Sequence, residues 1–486
     1  MCAPLPGGYC ASPCGATGSA CDGACVETAR GGEVCAAACK TDDDCRKAEG
    51  YVCDAQWHAC LIPNTAAIIP AQCPAAPKVP AQDTSFSASE AWSSDKTPGI
   101  YQLEPSAVVT ADGGLTALYM TRGSMMEGNV LAISRVDGKG VRSDSTLDTG
   151  RANAFDPWLA RDRKGTLYAV WLGFDTQESA QQIGFATSTD HGTTWSKPIA
   201  VQDPGDCAAG GDGEERDCLD KPMVVASDKA IYVMYASGDN GLRVRASRDG
   251  GTTFAPPVTA MVGIYGNAAI GSDGKLHLVT INGGPHGSFG SAQQTIEYTV
   301  SGDGGALFAQ PVPVSGRDEL LPFFFSNPSI AVDTKRKWIY VAYVRGGRDA
   351  KWEIVLASSK NGGVTWSRQK LAGDGCAIHM VPNLALDEAT GILHIAYYDS
   401  EGARGRFVHA RCGVGGTRCS VLGAINTQPF ATLSTERHGS KWIGEYEALA
   451  IDPKRKLLHA VWAQPVAEGD KQIARIFHAQ AKLPAK

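Results

Sequence analysis

The chain has 486 residues, of which 43% are hydrophobic and 20% are charged, and its formal net charge is -6. This composition is that of a globular protein, and the length suits one large domain with an appendage. The negative charge gives no reason to expect nucleic acid or an anionic membrane as a partner, and no apolar run approaches the roughly 18 residues of a membrane-spanning helix.

Cysteines are concentrated at the start of the chain. Of the 16 cysteines, eleven are Cys2, Cys10, Cys14, Cys21, Cys25, Cys35, Cys39, Cys45, Cys53, Cys60 and Cys73. This density is typical of a disulfide framework formed in an oxidising compartment. Three C-x3-C spacings leave zinc as the alternative. We predict a small disulfide-rich domain over residues 1–62, because its few apolar residues cannot form a core.

Met1 and Cys2 lead directly into this region, and the sequence shows no signal-peptide pattern ahead of it. We interpret the chain as secreted or displayed at the cell surface, with its signal removed. Cys2 at a mature N-terminus also suits the lipid anchor of a bacterial lipoprotein. The acidic run Asp42–Asp44 offers oxygen ligands for Ca²⁺, but a solvated turn is favoured, and no cofactor is assigned with certainty.

Residues 63–99 are rich in proline and then in serine, which predicts a linker. Part of this segment is expected to pair with the last strand unit of the domain that follows. That domain is predicted over residues 100–486.

An eight-residue phrase recurs in this domain at intervals of roughly 54–59 residues. It reads S-x-D-x-G-x-T-W at Ser188–Trp195, and related copies begin at Ser247, Ser301 and Ser359. It predicts a hairpin tip, in which the Asp or Asn side chain bonds the backbone amides and the glycine adopts a positive φ. The phrase resembles the Asp box, or BNR repeat, of the sialidase-like β-propellers. We take it as a structural mark on outer hairpins.

A second phrase begins with a polar residue that is often followed by a proline. An alternating apolar strand, a turn and a second strand that ends in an aromatic residue come after it. It begins near Glu104, Asp156, Lys221, Asn267, Asn327, Asn383 and Glu445. Short strands at even spacing are typical of propellers. We therefore predict an all-β fold, a β-propeller of seven blades with six as the alternative. Local disulfides are expected between Cys207 and Cys218, whereas Cys412 and Cys419 bracket a glycine-rich turn.

The inner strands of a propeller begin at one face around the central channel, so the residues before them converge there. If the protein is an enzyme, the predicted catalytic residues are Glu104, Asp156, Glu445 and Tyr446. The predicted ligand-binding residues are Arg122, Lys221, Asn267, Asn327, His379, Asn383, Arg437 and His438. These carboxylates could also coordinate Ca²⁺. His277, His394 and His459 occupy equivalent strand positions, which favours a structural role.

The resemblance to sialidases is weaker at this face than in the hairpins. Sialidases bind a sialic acid carboxylate with three arginines, the first in an R-I-P phrase, where this chain has Leu103-Glu104-Pro105. Tyr446 between two acids loosely matches the sialidase nucleophile. We predict a monomeric binding protein with a glycan or a surface protein as its ligand. The alternative is a sialidase-like glycoside hydrolase, retaining or inverting, that uses these carboxylates and Tyr446, and the sequence leaves open whether the protein is an enzyme.

Overall fold

The fold was analysed in a computed structural model of the chain. It describes residues 2–3, 9–10, 24–27, 33–47, 51–54, 58–61, 82–93, 101–122, 128–175, 181–203, 219–237, 241–263, 265–282, 295–316, 319, 321, 327–346, 352–373, 378–401, 404–428, 430–431, 443–468 and 471–484. The predicted all-β class is confirmed, and the regular helical elements of these ranges are 3-10 turns at Asp42–Asp44 and Val414–Gly416. Within these ranges, no helix is long and apolar enough to cross a membrane.

The N-terminal part of the described chain contains short strands. They are β1 (Cys2–Ala3), β2 (Tyr9–Cys10), β3 (Ala24–Glu27), β4 (Glu33–Ala36), β5 (Val52–Asp54), β6 (Ala59–Leu61) and β7 (Glu90–Ala91). The first six form three two-stranded sheets. Disulfides join Cys39 to Cys53 and Cys45 to Cys60, which confirms the disulfide interpretation for these four cysteines.

The acidic turn in this region is bonded to its own backbone. Asp44 Oδ2 accepts hydrogen bonds from the amides of Lys40 and Thr41, at 2.8 and 2.9 Å. Asp42 Oδ1 accepts one from the amide of Cys53 at 2.8 Å. These carboxylates therefore stabilise the turn and the neighbouring disulfide-linked strand.

From residue 101 onward the strands form consecutive antiparallel sheets. The first sheet contains β8 (Tyr101–Val109), β9 (Leu115–Arg122), β10 (Val130–Val136) and β11 (Arg142–Leu147). The second contains β12 (Asn153–Arg161), β13 (Leu167–Phe174), β14 (Gln182–Ser188) and β15 (Ile199–Ala200). The third contains β16 (Leu219–Ala226), β17 (Ile231–Ser237), β18 (Gly241–Ser247) and β19 (Val258–Val262).

The remaining sheets follow the same plan. The fourth contains β20 (Gly266–Ile270), β21 (Leu276–Asn282), β22 (Thr295–Ser301) and β23 (Val312–Pro313). The fifth contains β24 (Ser329–Asp333), β25 (Trp338–Gly346), β26 (Trp352–Ser359) and β27 (Ser367–Ala372). The sixth contains β28 (Ile378–Asp387), β29 (Ile392–Glu401), β30 (Arg404–Gly413) and β31 (Thr417–Ala424), with β32 (Phe430–Ala431) beside β30.

The last strands are β33 (Ala448–Asp452), β34 (Leu457–Glu468) and β35 (Lys471–Lys482). Strand β7 pairs antiparallel with β35, so a segment of the predicted linker supplies the fourth strand of this closing sheet. A single parallel pair, Ala474 with Tyr101, joins the closing sheet to the first. The inner strands contact one another in the order β8, β12, β16, β20, β24, β28 and β33, and β33 contacts β8 again.

The core lies between neighbouring sheets. One apolar cluster joins β13 and β14 of the second sheet to β16 and β17 of the third, and another joins the fifth sheet to the sixth. The second strand of each sheet is the most deeply buried, as in β9 and β13, where every residue is buried. Each sheet thus covers both neighbours, as expected of units that cannot bury their apolar faces alone.

The Asp-box phrase at Ser188 forms a tight turn against the preceding sheet. Asp190 Oδ1 accepts from the amide of Thr194 at 2.9 Å, and Ser188 Oγ accepts from the amide of Gly192 at 2.8 Å. Gly192 has φ +90, and a Cβ there would lie 2.9 Å from Cγ2 of Thr116 in β9. Glycine is therefore required by both conformation and space. The copies at Ser247, Ser301 and Ser359 have the same serine and Asp or Asn bonds.

Where the sixth sheet lacks this phrase, its outer hairpin is closed by a disulfide between Cys412 and Cys419. The amide of Gly415 in this hairpin donates to the hydroxyl of Tyr340 in the fifth sheet at 3.1 Å. The hairpin therefore contacts the preceding sheet as the Asp-box turns do. Cys207 and Cys218 lie outside the described residues.

Buried histidines in the second strands of three sheets contact side chains of the neighbouring strand. His277 Nδ1 lies 2.7 Å from the Tyr298 hydroxyl. His394 and His459 lie 3.1 Å from the rings of His409 and His478, respectively, measured between ring nitrogens. Burial is the main cause that lowers the pKa of each of these groups: to about 4 for His277 and His459, and to about 3 for His394 and His478.

Candidate functional site

Four of the inner strands contain the same backbone irregularity near their N-terminal end. In β8, β12, β16 and β28 the pairing register shifts by a bulge around a residue that precedes proline. These residues are Glu104, Asp156, Lys221 and Val381, with φ of 56, 50, 49 and 54 degrees. A positive φ is unusual for a residue with a side chain, and more so before proline. Bulges redirect side chains, and three of these four are charged.

The three charged residues meet the segment before β33. Lys221 Nζ lies 2.5 Å from Asp156 Oδ1, 2.6 Å from Glu445 Oε2 and 3.9 Å from Glu104 Oε1. Their side chains are between 1% and 8% exposed. Asp156 and Glu445 are thus linked through one ammonium, and the two oxygens that contact it are at most about 5 Å apart, which is closer than the pair of an inverting glycosidase. We call these four residues the lysine cluster.

Burial and the neighbouring charges shift the pKa values of two members of the lysine cluster, Lys221 and Glu104. Burial by itself opposes the charge on Lys221, but the carboxylates of Asp156 and Glu445 outweigh it and raise the pKa of the ammonium well above its usual value. Burial raises the pKa of Glu104 well above normal, and although the Lys221 ammonium opposes this, Asp156 and Glu445 add to it. Both the pKa of the ammonium and the pKa of one neighbouring carboxyl group are thus raised.

Several buried acceptors here have no donor within the described part of the chain. They include Oε1 of Glu445 and Oδ1 of Asn327. Gly444 packs directly on Glu104, since a Cβ at this glycine would lie 2.3 Å from Cγ of Glu104. Buried acceptors are normally paired, so this set marks a place where a donor is missing.

Tyr446 lies beside the lysine cluster but is bonded elsewhere. Its hydroxyl donates to the backbone oxygen of Pro157 at 2.9 Å, and its ring contacts that of Trp158, with centroids 5.0 Å apart. Burial, followed by the Glu104 and Asp156 carboxylates, raises its pKa well above normal. The hydroxyl thus has a carbonyl partner rather than a carboxylate base, and it is a weak nucleophile in this arrangement.

A cleft opens beside Glu445, one member of the lysine cluster. Its lining consists of Trp158, Met223, Gly266, Asn267, Asn327, Pro328, Ser329, Val381, Pro382, Asn383, Glu445 and Tyr446. Asn327 and Asn383 donate from Nδ2 to the backbone oxygens of Glu445 and Glu447, so each holds the segment before β33 in place. The enclosed space has room for about one water molecule.

The other predicted ligand-binding residues are not brought to this cleft by the described contacts. Arg122 is buried at the end of β9, opposite Tyr101. His379 Nδ1 lies 3.0 Å from the backbone oxygen of Trp352, and its ring contacts Tyr397, which places it between the fifth and sixth sheets. Arg437 and His438 lie outside the described residues.

Sequence reasoning did not single out Trp158, Val381 or Gly444. Trp158 and Val381 adjoin the X-Pro bulges, and that recurring dipeptide was the available signal. No comparable signal marks Gly444, because its role depends on a contact with Glu104, 340 positions earlier in the chain.

The lysine cluster contains its own cation, because the Lys221 ammonium lies among the carboxylates that were considered as Ca²⁺ ligands. Within the described chain, the side chains with metal-type ligand atoms close enough to share an ion are Cys39, Cys45 and Cys60. Their sulfurs are in disulfides, so they are not available as thiolate ligands.

No family model and no curated protein matches the chain. A protein of unknown function from Dyadobacter fermentans is similar in structure, at 12% identity and a TM-score of 0.48, over 84% of this chain and 97% of that one. A Hadza microbial sialidase is 18% identical, with a TM-score of 0.43 over 62% and 63% of the two chains. An alpha-L-arabinanase from Penicillium chrysogenum is 13% identical, with a TM-score of 0.42 over 82% and 97%. Each of these three structures has a TM-score below 0.5.

Proposed function

We propose that the chain is an extracytoplasmic, sialidase-like β-propeller of seven blades that binds a glycan or a protein ligand at the face containing the lysine cluster. The closed order of inner-strand contacts from β8 to β33 supports seven blades. Disulfides at Cys39–Cys53 and Cys45–Cys60 support an oxidising compartment. The disulfide-rich domain over residues 1–62, a lipid anchor at Cys2 and a monomeric state remain part of this proposal.

The observation that carries the binding function is the position of the Lys221 ammonium between Asp156 and Glu445. A carboxylate held by a buried ammonium is a poor general base, because accepting a proton would break its ion pair. Tyr446 is equally unsuited to nucleophilic attack while it donates to Pro157. The charged groups at this face are therefore arranged to keep the binding surface in a fixed geometry rather than to transfer protons.

The cleft itself has the chemistry of a binding site. The side chains of Asn267, Asn327 and Asn383 come from three successive sheets and are each half-buried at its wall. Trp158 adds a half-buried aromatic ring. A few convergent amides beside an aromatic surface are typical of sites that orient a polar ligand, and among the two ligand classes they favour a glycan.

A glycoside hydrolase is the second candidate, favoured by one observation. Glu104 has a raised pKa while it lies next to carboxylates that pair with Lys221. A protonated acid beside an ionised carboxylate is the arrangement by which glycosidases divide the acid and nucleophile roles.

A glycan array read beside assays on fluorogenic glycosides separates the two candidates. We expect glycan binding without turnover, and we expect Asn267→Ala to weaken binding about tenfold, the effect of losing one good hydrogen bond. Asn361→Ala, the same change in an Asp-box turn away from the cleft, should leave affinity unchanged. Turnover that is lost in both Asp156→Asn and Glu445→Gln would instead establish the hydrolase.

A further inference from the structure

The missing partners at the bottom of the cleft are all hydrogen-bond donors. Oε1 of Glu445 and Oδ1 of Asn327, which both line the cleft, are buried without a donor in the described chain. The side chain of Glu445 is 1% exposed. A ligand that completes this site must therefore donate hydrogen bonds, which hydroxyl groups do and carboxylates do not.

The charge at the same place selects against anions. Three carboxyl groups surround the one ammonium of Lys221, whose closest contacts, at 2.5 and 2.6 Å, are already to Asp156 and Glu445. Even when Glu104 is protonated, two carboxylates face one ammonium. A sugar carboxylate entering here would meet no uncommitted cation of the lysine cluster and would be repelled by its net negative charge.

The size of the opening limits which part of a ligand reaches the bottom. The enclosed space has room for about one water molecule, which is the space taken by one hydroxyl group. The half-buried Trp158 ring and the Asn267 amide stand at the wall, where they can contact the body of a sugar ring.

Resting on the proposed binding function, we infer that the cleft takes a neutral, hydroxyl-rich sugar and rejects acidic sugars. One hydroxyl group of the ligand enters the cleft and donates to an unpaired acceptor of Glu445 or Asn327, in the place of a water molecule. The remainder of the ring lies against Trp158 and the asparagine amides.

The test uses calorimetry on the full chain with matched oligosaccharides: galactose with galacturonate oligomers, and glucose with glucuronate oligomers. We expect at least one neutral oligomer to bind tenfold or more tightly than its acidic partner. Its affinity should be the same in 50 mM and 500 mM NaCl, since no charge pairing with the ligand is involved. Acidic oligomers that bind as tightly as their neutral partners would overturn the inference while leaving the glycan-binding function standing.

Glu445→Gln provides an independent measurement, because it removes one negative charge and keeps the shape of the side chain. Discrimination against the acidic partner should narrow by about tenfold, and unchanged discrimination would count against the inference. If this variant does not fold, the salt series on the unmodified chain gives the result, and an affinity for the neutral sugar that falls steeply with salt overturns it. Absence of binding to every oligomer, neutral or charged, would remove the glycan-binding function as well.

Discussion

Acidification should destabilise the protein well above the pH at which carboxylates titrate, because of its buried histidines. His277, His394, His459 and His478 have pKa values lowered to about 3 or 4 by burial. In the unfolded chain the same groups titrate near 6.5. Below that pH the unfolded state binds protons that the folded state does not, so stability is full above about pH 6.5 and falls as the pH decreases toward 4.

The size of this effect follows from the two pKa values. At pH 5 an unfolded histidine is almost fully protonated, and each buried neutral histidine then costs about 2 kcal/mol of folding free energy relative to neutral pH. Four such groups cost about 8 kcal/mol, which is comparable with the whole stability of many domains. Denaturant titrations followed by tryptophan fluorescence at pH 7 and pH 5 measure the difference.

A single substitution isolates one of these contributions. His277→Gln keeps a polar group near the Tyr298 hydroxyl but cannot be protonated, so the fall in unfolding free energy between pH 7 and pH 5 should be smaller by about 2 kcal/mol. His58→Gln is the control, because His58 is exposed and should not change the slope. The reasoning is refuted if wild-type stability is the same at both pH values, or if the two variants show equal slopes.

Three further substitutions test the site and the outer turns. Lys221→Met leaves buried carboxylates without their cation and should lower the free energy of unfolding by about 3–5 kcal/mol at neutral pH. Gly444→Ala places a Cβ at φ +87, 2.3 Å from Cγ of Glu104, and should cost at least 1–3 kcal/mol in the same denaturant titration. Replacing Cys412 and Cys419 with serine opens a loop of sequence separation 7 and should cost about 2 kcal/mol by the chain-entropy model, measured without reductant.

Each of the three substitutions is compared with a control variant or with a result that would contradict the expectation. Lys360→Met removes an ammonium that lies over the Trp338 ring at 4.7 Å and should cost no more than about 1 kcal/mol. Gly250 has a similar positive φ, +77, but open space around a new Cβ, so Gly250→Ala measures backbone strain without the clash. Equal losses in Gly250→Ala and Gly444→Ala would contradict the proposed contact with Glu104. A serine pair as stable as the disulfide form would show that neighbouring contacts alone hold the hairpin.

The sequence was informative about which residues of the inner strands form the lysine cluster. The X-Pro phrase located Glu104, Asp156 and Lys221 at the openings of inner strands, since alternation and turn residues define where a strand begins. It could not indicate that the residue before proline takes a left-handed conformation, because local preference opposes it. The bulge is enforced by pairing with the neighbouring strand.

The partners within the site were beyond sequence reasoning for a different reason. Whether Lys221 binds a ligand or pairs with Asp156 and Glu445 depends on distances between sheets that are far apart in the chain. The same limit applies to Tyr446, whose hydroxyl finds the backbone of Pro157, 289 positions earlier. Disulfide connectivity is likewise undetermined by spacing, since eleven cysteines permit many pairings.

The pairing of β7 with β35 has a consequence for how the protein is made. Ala91 leaves the ribosome long before its partner Phe477, so the closing sheet cannot be completed until nearly all of the chain has been synthesised. The entropy lost in joining such distant segments grows only with the logarithm of their separation, so the delay is kinetic rather than energetic. During translation the segment at Glu90–Ala91 waits without its strand partner, and completion of the ring is expected to be a late step in folding.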